Sequence, residues 1–145
     1  MQTGRTLVLC VDRDDDIGYK GGVESPVLGR AACLNAANSL ALTDPEDSDV
    51  NAIFQAIKIY DELAAAGESV EIALIAGDHV HMLDGDRKIG ASIDRLVRET
   101  GVENCIVVTD GAEDEFVIPL VQSRVPVASI RRVIVSQMPN LEGTY

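Results

Sequence analysis

The sequence predicts an α/β domain: a doubly wound, mainly parallel sheet of about four to five strands, in a flavodoxin-like or Rossmann-like three-layer sandwich. Three observations lead there. Short apolar runs rich in β-formers alternate with longer stretches of helical periodicity, the pattern of strands joined by crossover helices. Three of the four apolar runs stop abruptly at Gly or Asp, where a chain turns. A chain of 145 residues that is 46% hydrophobic can bury one core.

The elements follow in order. Thr6 to Val11 reads as a buried strand ending at Asp12. Residues 13–30, with Gly18, Gly21, Gly22, Gly29 and Pro26, read as a long loop, a length that signals function or mobility. Ala31 to Leu42 is Ala/Leu-rich and helical. Asp44-Pro45-Glu46-Asp47 starts a new turn, and Ser48 or Asp49 can cap the longer helix behind it. There Val50, Ile53, Phe54, Ile57, Tyr60 and Ala64 recur at spacings of three and four, a stripe expected to be buried, and Gly67 ends the helix.

Val70 to Ala76 is the second strand, stopped by Gly77-Asp78. Lys88 to Thr100 is a helix carrying Ile89, Ile93, Leu96 and Val97, and Gly101 stops it. Asn104 to Thr109 is the third strand. Glu113-Asp114-Glu115 opens another helix, its carboxylates suited to the positive end of the macrodipole, with Pro119 expected to kink it or shift its start. Arg131 to Ser136 is the fourth strand. A single domain is expected over 1–137, followed by a polar tail over 138–145. With the four strands counted in chain order, right-handed crossovers favour the order 2-1-3-4.

Composition excludes several functions. Acidic residues outnumber basic ones 24 to 12, a net charge of −12 that repels nucleic acid and phospholipid surfaces. Aromatics are 3% with no Trp, too few for base-stacking platforms. No apolar run approaches the ~20 residues of a membrane-spanning helix and no signal peptide opens the chain, so a cytoplasmic setting is expected. Asp exceeds Glu and only Lys20, Lys58 and Lys88 are lysines, a surface suited to a salt-rich, halophilic cytoplasm. Cys10, Cys33 and Cys105 are far apart and odd in number, so buried free thiols are expected. A homo-oligomer is compatible with all of this.

Sheets of this kind bind ligands beyond the carboxyl ends of their strands, where strand order reverses. Three strands end there in Asp12, Asp78 and Asp110, and Asp14, Asp15 and Asp16 add carboxylates beyond the first. Asp12 and Asp110 would flank the reversal. Converging carboxylates repel one another and call for a hard cation, Mg²⁺ or Mn²⁺, with Asp12, Asp14 and Asp110 as the expected ligands. Lys20 and Arg30 could hold a phosphate beside loop N–H groups, and Asp15, Asp78 and Glu113 complete the expected ligand-binding set. His79 and His81 offer donors for a transition metal but lack a third partner. Ser25, Ser92 and Ser129 have no nucleophile-elbow context.

Known enzyme patterns match only in part. Asp12-Arg13-Asp14 fits the first motif of haloacid-dehalogenase-type phosphatases, but Ala76-Gly77 stands where Ser or Thr should close the second strand, and Asp15-Asp16 where Thr or Val should follow. Toprim-type enzymes need Glu after the first strand and Asp-x-Asp after the third; the chain has Asp12 and Asp110-Gly111-Ala112-Glu113. The glycine-rich loop has no Gly-Lys-Ser/Thr and no G-x-G-x-x-G beside the first strand.

Four stretches carry a broader likeness: Leu7-Val8-Leu9-Cys10-Val11-Asp12-Arg13-Asp14-Asp15-Asp16-Ile17-Gly18, Ser25-Pro26-Val27-Leu28-Gly29-Arg30, Asp44-Pro45-Glu46-Asp47-Ser48-Asp49-Val50-Asn51-Ala52-Ile53-Phe54 and Thr109-Asp110-Gly111-Ala112-Glu113-Asp114-Glu115. Together they resemble the archaeal family called domain of unknown function 373, predicted membrane proteins. The resemblance spans nearly the whole chain, and the Asp-Pro-Glu-Asp-Ser-Asp run is its most specific part. It implies a cytoplasmic amino-terminal domain that precedes several membrane helices, with 138–145 as the start of the linker to them. It supplies no catalytic residues.

Two function classes follow. One is a binding domain for a small anionic ligand or nucleotide held through a divalent metal. The other is a metal-dependent phosphoester hydrolase or phosphotransferase using the Asp cluster, with Asp14 as nucleophile or acid/base.

Overall fold

In the computed structural model, which describes residues 4–134, the chain runs β1 (Thr6–Asp12), α1 (Asp16–Tyr19), β2 (Val27–Leu28), α2 (Arg30–Thr43), α3 (Ser48–Ala65), β3 (Val70–Ala76), α4 (Met82–Thr100), β4 (Asn104–Thr109), α5 (Asp114–Gln122) and β5 (Val127–Arg132). One sheet has the order β2-β3-β1-β4-β5. The four longer strands are parallel and take the expected 2-1-3-4 order, while β2 pairs antiparallel with β3 at one edge.

Strand periodicity divides the core in two. Along β1, Val8 and Cys10 face α2 and α3, whereas Leu7 and Leu9 face α4 and α5. Ile72 and Leu74 of β3 share the first side, and Ala73 and Ile75 the second. Both faces are covered, so the central strands are apolar throughout. All three cysteines are free and buried. Among the described residues no helix is long and apolar enough to cross a membrane.

Several expectations are corrected. The segment 13–30 is not a plain loop: it holds α1 and the edge strand β2, after a cis Ser25-Pro26 bond. Both are too short to show a period. Helix α4 starts at Met82, six residues before Lys88, because its first turns face solvent and carry no apolar stripe. What starts it is local: Asp78 accepts the N–H groups of Val80 and His81 at 2.9 and 2.7 Å. Gly85 then packs so closely that a Cβ there would lie 2.5 Å from the Asp78 nitrogen.

Strand β5 begins at Val127, not Arg131, because pairing starts as soon as the Cys105 N–H reaches the Pro126 carbonyl at 2.9 Å. It is an edge strand, so it needs no continuous apolar run. The expected strand beyond Ile134, the 137/138 boundary and the tail lie outside the described residues. Helix α5 runs through Pro119.

Phe54 is 41% exposed. The buried face of α3 is built from Val50, Ile53 and Ile57 with Ala52, Ala56 and Ile59, which pack on the sheet and on Cys33, Ala36, Ala37 and Leu40 of α2. That face is rotated away from Phe54; Tyr60 is half-buried and Ala64 exposed.

Candidate functional site

Strand order reverses between β1 and β4: the connection after β1 leads to the α2/α3 side, and that after β4 to the α4/α5 side. A cleft of about 210 Å³ opens there, lined by the end of β1, the first residues of α3, and the loop from β4 into α5. Asp12 closes its floor at 2% exposure. Its Oδ2 accepts the Ile17 N–H at 2.8 Å, while its Oδ1 is buried without a hydrogen-bond partner. Such an oxygen is costly to leave bare.

Asp14, Asp16 and Asp49 stand beside it, half-buried, and one oxygen from each of the four carboxylates lies within 4.8 Å of the others. The local folding that brings them together is legible. Asp15 takes the left-handed conformation (φ 60°) and caps α1 through the Gly18 N–H, turning Asp14 and Asp16 to the cleft. Asp47 caps α3 by accepting the Asp49 N–H at 2.9 Å, which sets Asp49 in the first turn.

Crowding acts on the proton affinities. Burial, then the neighbouring Asp14, pushes the Asp12 carboxyl up to about 8. Burial and the field of Asp12 push Asp49 up to about 10. Asp16 rises to about 6 through burial and its contact with Asp47. In each case burial is the larger cause and the neighbouring carboxylates add to it, while Lys20 offsets part of the rise at Asp16.

The expected site residues divide. Asp12 and Asp14 belong to the four-carboxylate group. Asp110 lines the same cleft but is outside that group: its Oδ2 accepts the Ser48 hydroxyl at 2.7 Å and its Oδ1 the Ala112 N–H at 3.0 Å. Glu113 is also in the cleft wall, ion-paired with Arg13 at 2.9 Å. Asp15 lines a second, larger cleft of about 480 Å³ together with Lys88. Asp78 starts α4, and its two backbone donors hold its carboxyl below the ordinary range. Lys20 is not placed for a phosphate: its Nζ donates to Asp44 and Asp47 at 2.8 Å each. Arg30 pairs with Asp61 at 2.7 and 3.0 Å, away from the cleft. His79 stacks on Tyr19, ring centroids 3.7 Å apart, and neither His79 nor His81 joins a group of three metal donors among the described residues.

Three residues escaped the expected ligand set. Asp16 and Asp49 are cation-ligand candidates whose placement depends on caps, and Asp49 sits in a run of carboxylates that reads as a helix start. Arg13 is the third. Its guanidinium grips both oxygens of Asp86 at 3.0 Å, bonds Glu113, and lies 4.1 Å over the Phe116 ring. Those contacts tie the end of β1 to α4 and α5.

Comparison with known proteins identifies relatives rather than an activity. An uncharacterized protein of Archaeoglobus fulgidus is 51% identical over 141 residues, covering 97% of this chain and 41% of its own length. An uncharacterized protein of Methanocaldococcus jannaschii is 46% identical over 140 residues, covering 96% of this chain and 38% of its own length. The chain thus spans about two fifths of the length of these curated relatives. Among solved structures, a macrodomain protein from Streptomyces coelicolor aligns with a TM-score of 0.38 and 15% identity, over 92% of this chain and 91% of the other; no argument rests on a likeness that slight. The family described as Domain of unknown function (DUF373) matches residues 5–145, and the chain belongs to it.

Proposed function

We propose that this domain binds a divalent cation, Mg²⁺ or Mn²⁺, in the cleft at the carboxyl edge of the sheet, and through it a small anionic ligand or nucleotide. The observation that carries the reading is Asp12: a nearly inaccessible carboxylate with one bare oxygen, set among three more carboxylates within 4.8 Å. Asp12, Asp14, Asp16 and Asp49 are the ligands, all hard oxygens that suit these ions. Asp110 lines the same cleft, held by Ser48. Titration calorimetry with MgCl₂ and MnCl₂ tests this. Wild type should bind either ion, Asp12→Asn neither, and equal heats for both proteins would refute the site.

Phosphoester hydrolysis or transfer is the second reading. One observation favours it: Asp12 and Asp14, spaced Asp-x-Asp, line one cleft. Turnover of aryl phosphates or nucleotides with Mg²⁺, abolished in Asp14→Asn, would select it over binding alone. The family resemblance also implies that the domain is the cytoplasmic part of a membrane protein, and the relatives, of which this chain spans about two fifths, are long enough to hold further segments. Fractionation of the full-length Archaeoglobus relative tests that: recovery in the soluble fraction would reject it.

A further inference from the structure

The four clustered carboxylates come from two stretches far apart in the chain: Asp12, Asp14 and Asp16 from the end of β1 into α1, and Asp49 in the first turn of α3. Each stretch is ordered within itself. The Asp15 N–H donates to the Asp12 carbonyl at 3.2 Å, and the Asp47 N–H to the Asp44 carbonyl at 3.1 Å. Among the described residues no backbone hydrogen bond joins one stretch to the other. The distance across the cluster is therefore left to side chains.

One side chain spans it. Lys20 caps the carboxyl end of α1, and its Nζ donates to Asp44 and Asp47 at 2.8 Å each while standing 3.9 Å from Asp16. Among the described residues no other cation pairs with the 44–49 stretch. Asp47 is the joint. Its side chain is 4% exposed, with Oδ2 on Lys20 and Oδ1 on the Asp49 N–H at 2.9 Å. Without the ammonium, that buried carboxylate is left uncompensated and turns toward water, drawing the cap that sets Asp49 with it.

Electrostatics alone gives Lys20 the opposite role. An ammonium 3.9 Å from Asp16 repels an incoming divalent ion, so a mere charge there weakens the site and its removal strengthens it. The two roles differ in sign.

We infer that Lys20 is a positioning residue for the cation site, clasping the stretch that carries Asp49 against the stretch that carries Asp14 and Asp16. This rests on the reading of the cleft as a cation site. The clasp works through Asp44 and Asp47, neither of which belongs to the four-carboxylate group, so Lys20 shapes the site without hydrogen-bonding any of its ligand oxygens.

The test is Mn²⁺ binding to the 145-residue chain, read from the paramagnetic resonance signal of the free ion, in low and in molar KCl. Lys20→Met should bind Mn²⁺ about tenfold more weakly than wild type, the low end for losing an outer partner of metal ligands. The loss should persist in molar KCl, where the repulsion between distant charges is screened. Lys20→Arg, which keeps a cation that two carboxylates can share, should recover most of the affinity. Urea denaturation checks that each variant folds. Where Lys20→Met does not, Lys20→Gln, which keeps a donor but no charge, takes its place with the same expectation. Mn²⁺ binding that is unchanged or tighter in the neutral variant would overturn the inference, as would a loss in Lys20→Arg as deep as in the neutral variant. A wild-type protein that binds no Mn²⁺ would instead refute the cation site itself.

Discussion

Arg13 and Lys20 are each matched by carboxylates from distant elements: Asp86 of α4 and Glu113 before α5 for the first, Asp44 and Asp47 between α2 and α3 for the second. One residue before Arg13, Asp12 meets Asp14, Asp16 and Asp49, where Lys20 reaches Asp16 at 3.9 Å and, among the described residues, no cation pairs with Asp12, Asp14 or Asp49. The two regions share the end of β1 and differ in purpose. Paired charges fasten the loop to helices on both faces of the sheet. The crowded carboxylates store repulsion, which opposes folding and which bound protons or an added cation relieve. Selection for stability alone would have paired or removed them, so the contrast separates the frame from the candidate site.

The largest effect expected is on the frame. Arg13→Ala strands Asp86 and Glu113 and uncovers Phe116. It should cost about 3 kcal/mol, the low end for breaking a buried ion pair, because its partners are partly solvated. Urea denaturation measures this, and a loss below about 1 kcal/mol would mean that the pairing is surface decoration.

Next comes the cation. Mg²⁺ at a hundredfold excess over its dissociation constant should stabilise wild type by about 2.7 kcal/mol. Asp12→Asn should lose that response yet stay as stable as metal-free wild type, since an amide oxygen can still accept the Ile17 N–H. If the variant proves markedly less stable without metal, Asp12 belongs to the frame and the contrast collapses.

A further effect is expected from pH. Asp12, pushed up to about 8, holds its proton more tightly folded than unfolded. Its contribution to stability is complete below the unfolded value of 3.8 and is lost as pH rises through about 8. Asp49, pushed up to about 10, prolongs the loss. The metal-free protein should therefore melt lower at pH 9 than at pH 6. Mg²⁺ should bind more tightly at the higher pH, because the protons must leave first. Melting temperatures that hold steady or climb with pH in EDTA would contradict this.

Salt should act least. At a net charge of −12, raising KCl from low to molar concentration should lift the melting temperature by screening repulsion, and less so once the cleft holds Mg²⁺. A melting temperature indifferent to KCl would remove the halophilic reading.

The sequence alone determined the class of fold, favoured the order of the four longer strands and pointed to the edge that carries the candidate cleft. Those depend on local signals: apolar runs that stop at Asp12, Asp78 and Thr109-Asp110, helical stripes between them, and the fixed hand of crossovers. It also named Asp12 and Asp14, because strand ends are where such sheets gather their chemistry. Tertiary structure decided what local pattern cannot carry. Phe54 fits a helical stripe but lies off the face that α2 and the sheet bury. Lys20 looked free in a glycine-rich loop, yet the turn between α2 and α3 delivers two carboxylates to it. Asp49 joins Asp12 because α3 begins at the carboxyl edge, whereas Asp110, the more conspicuous strand-end residue, is drawn off by Ser48. Periodicity reports which side of an element is apolar. Which charges meet depends on how elements are rotated against one another, and that is settled by packing between segments far apart in the chain.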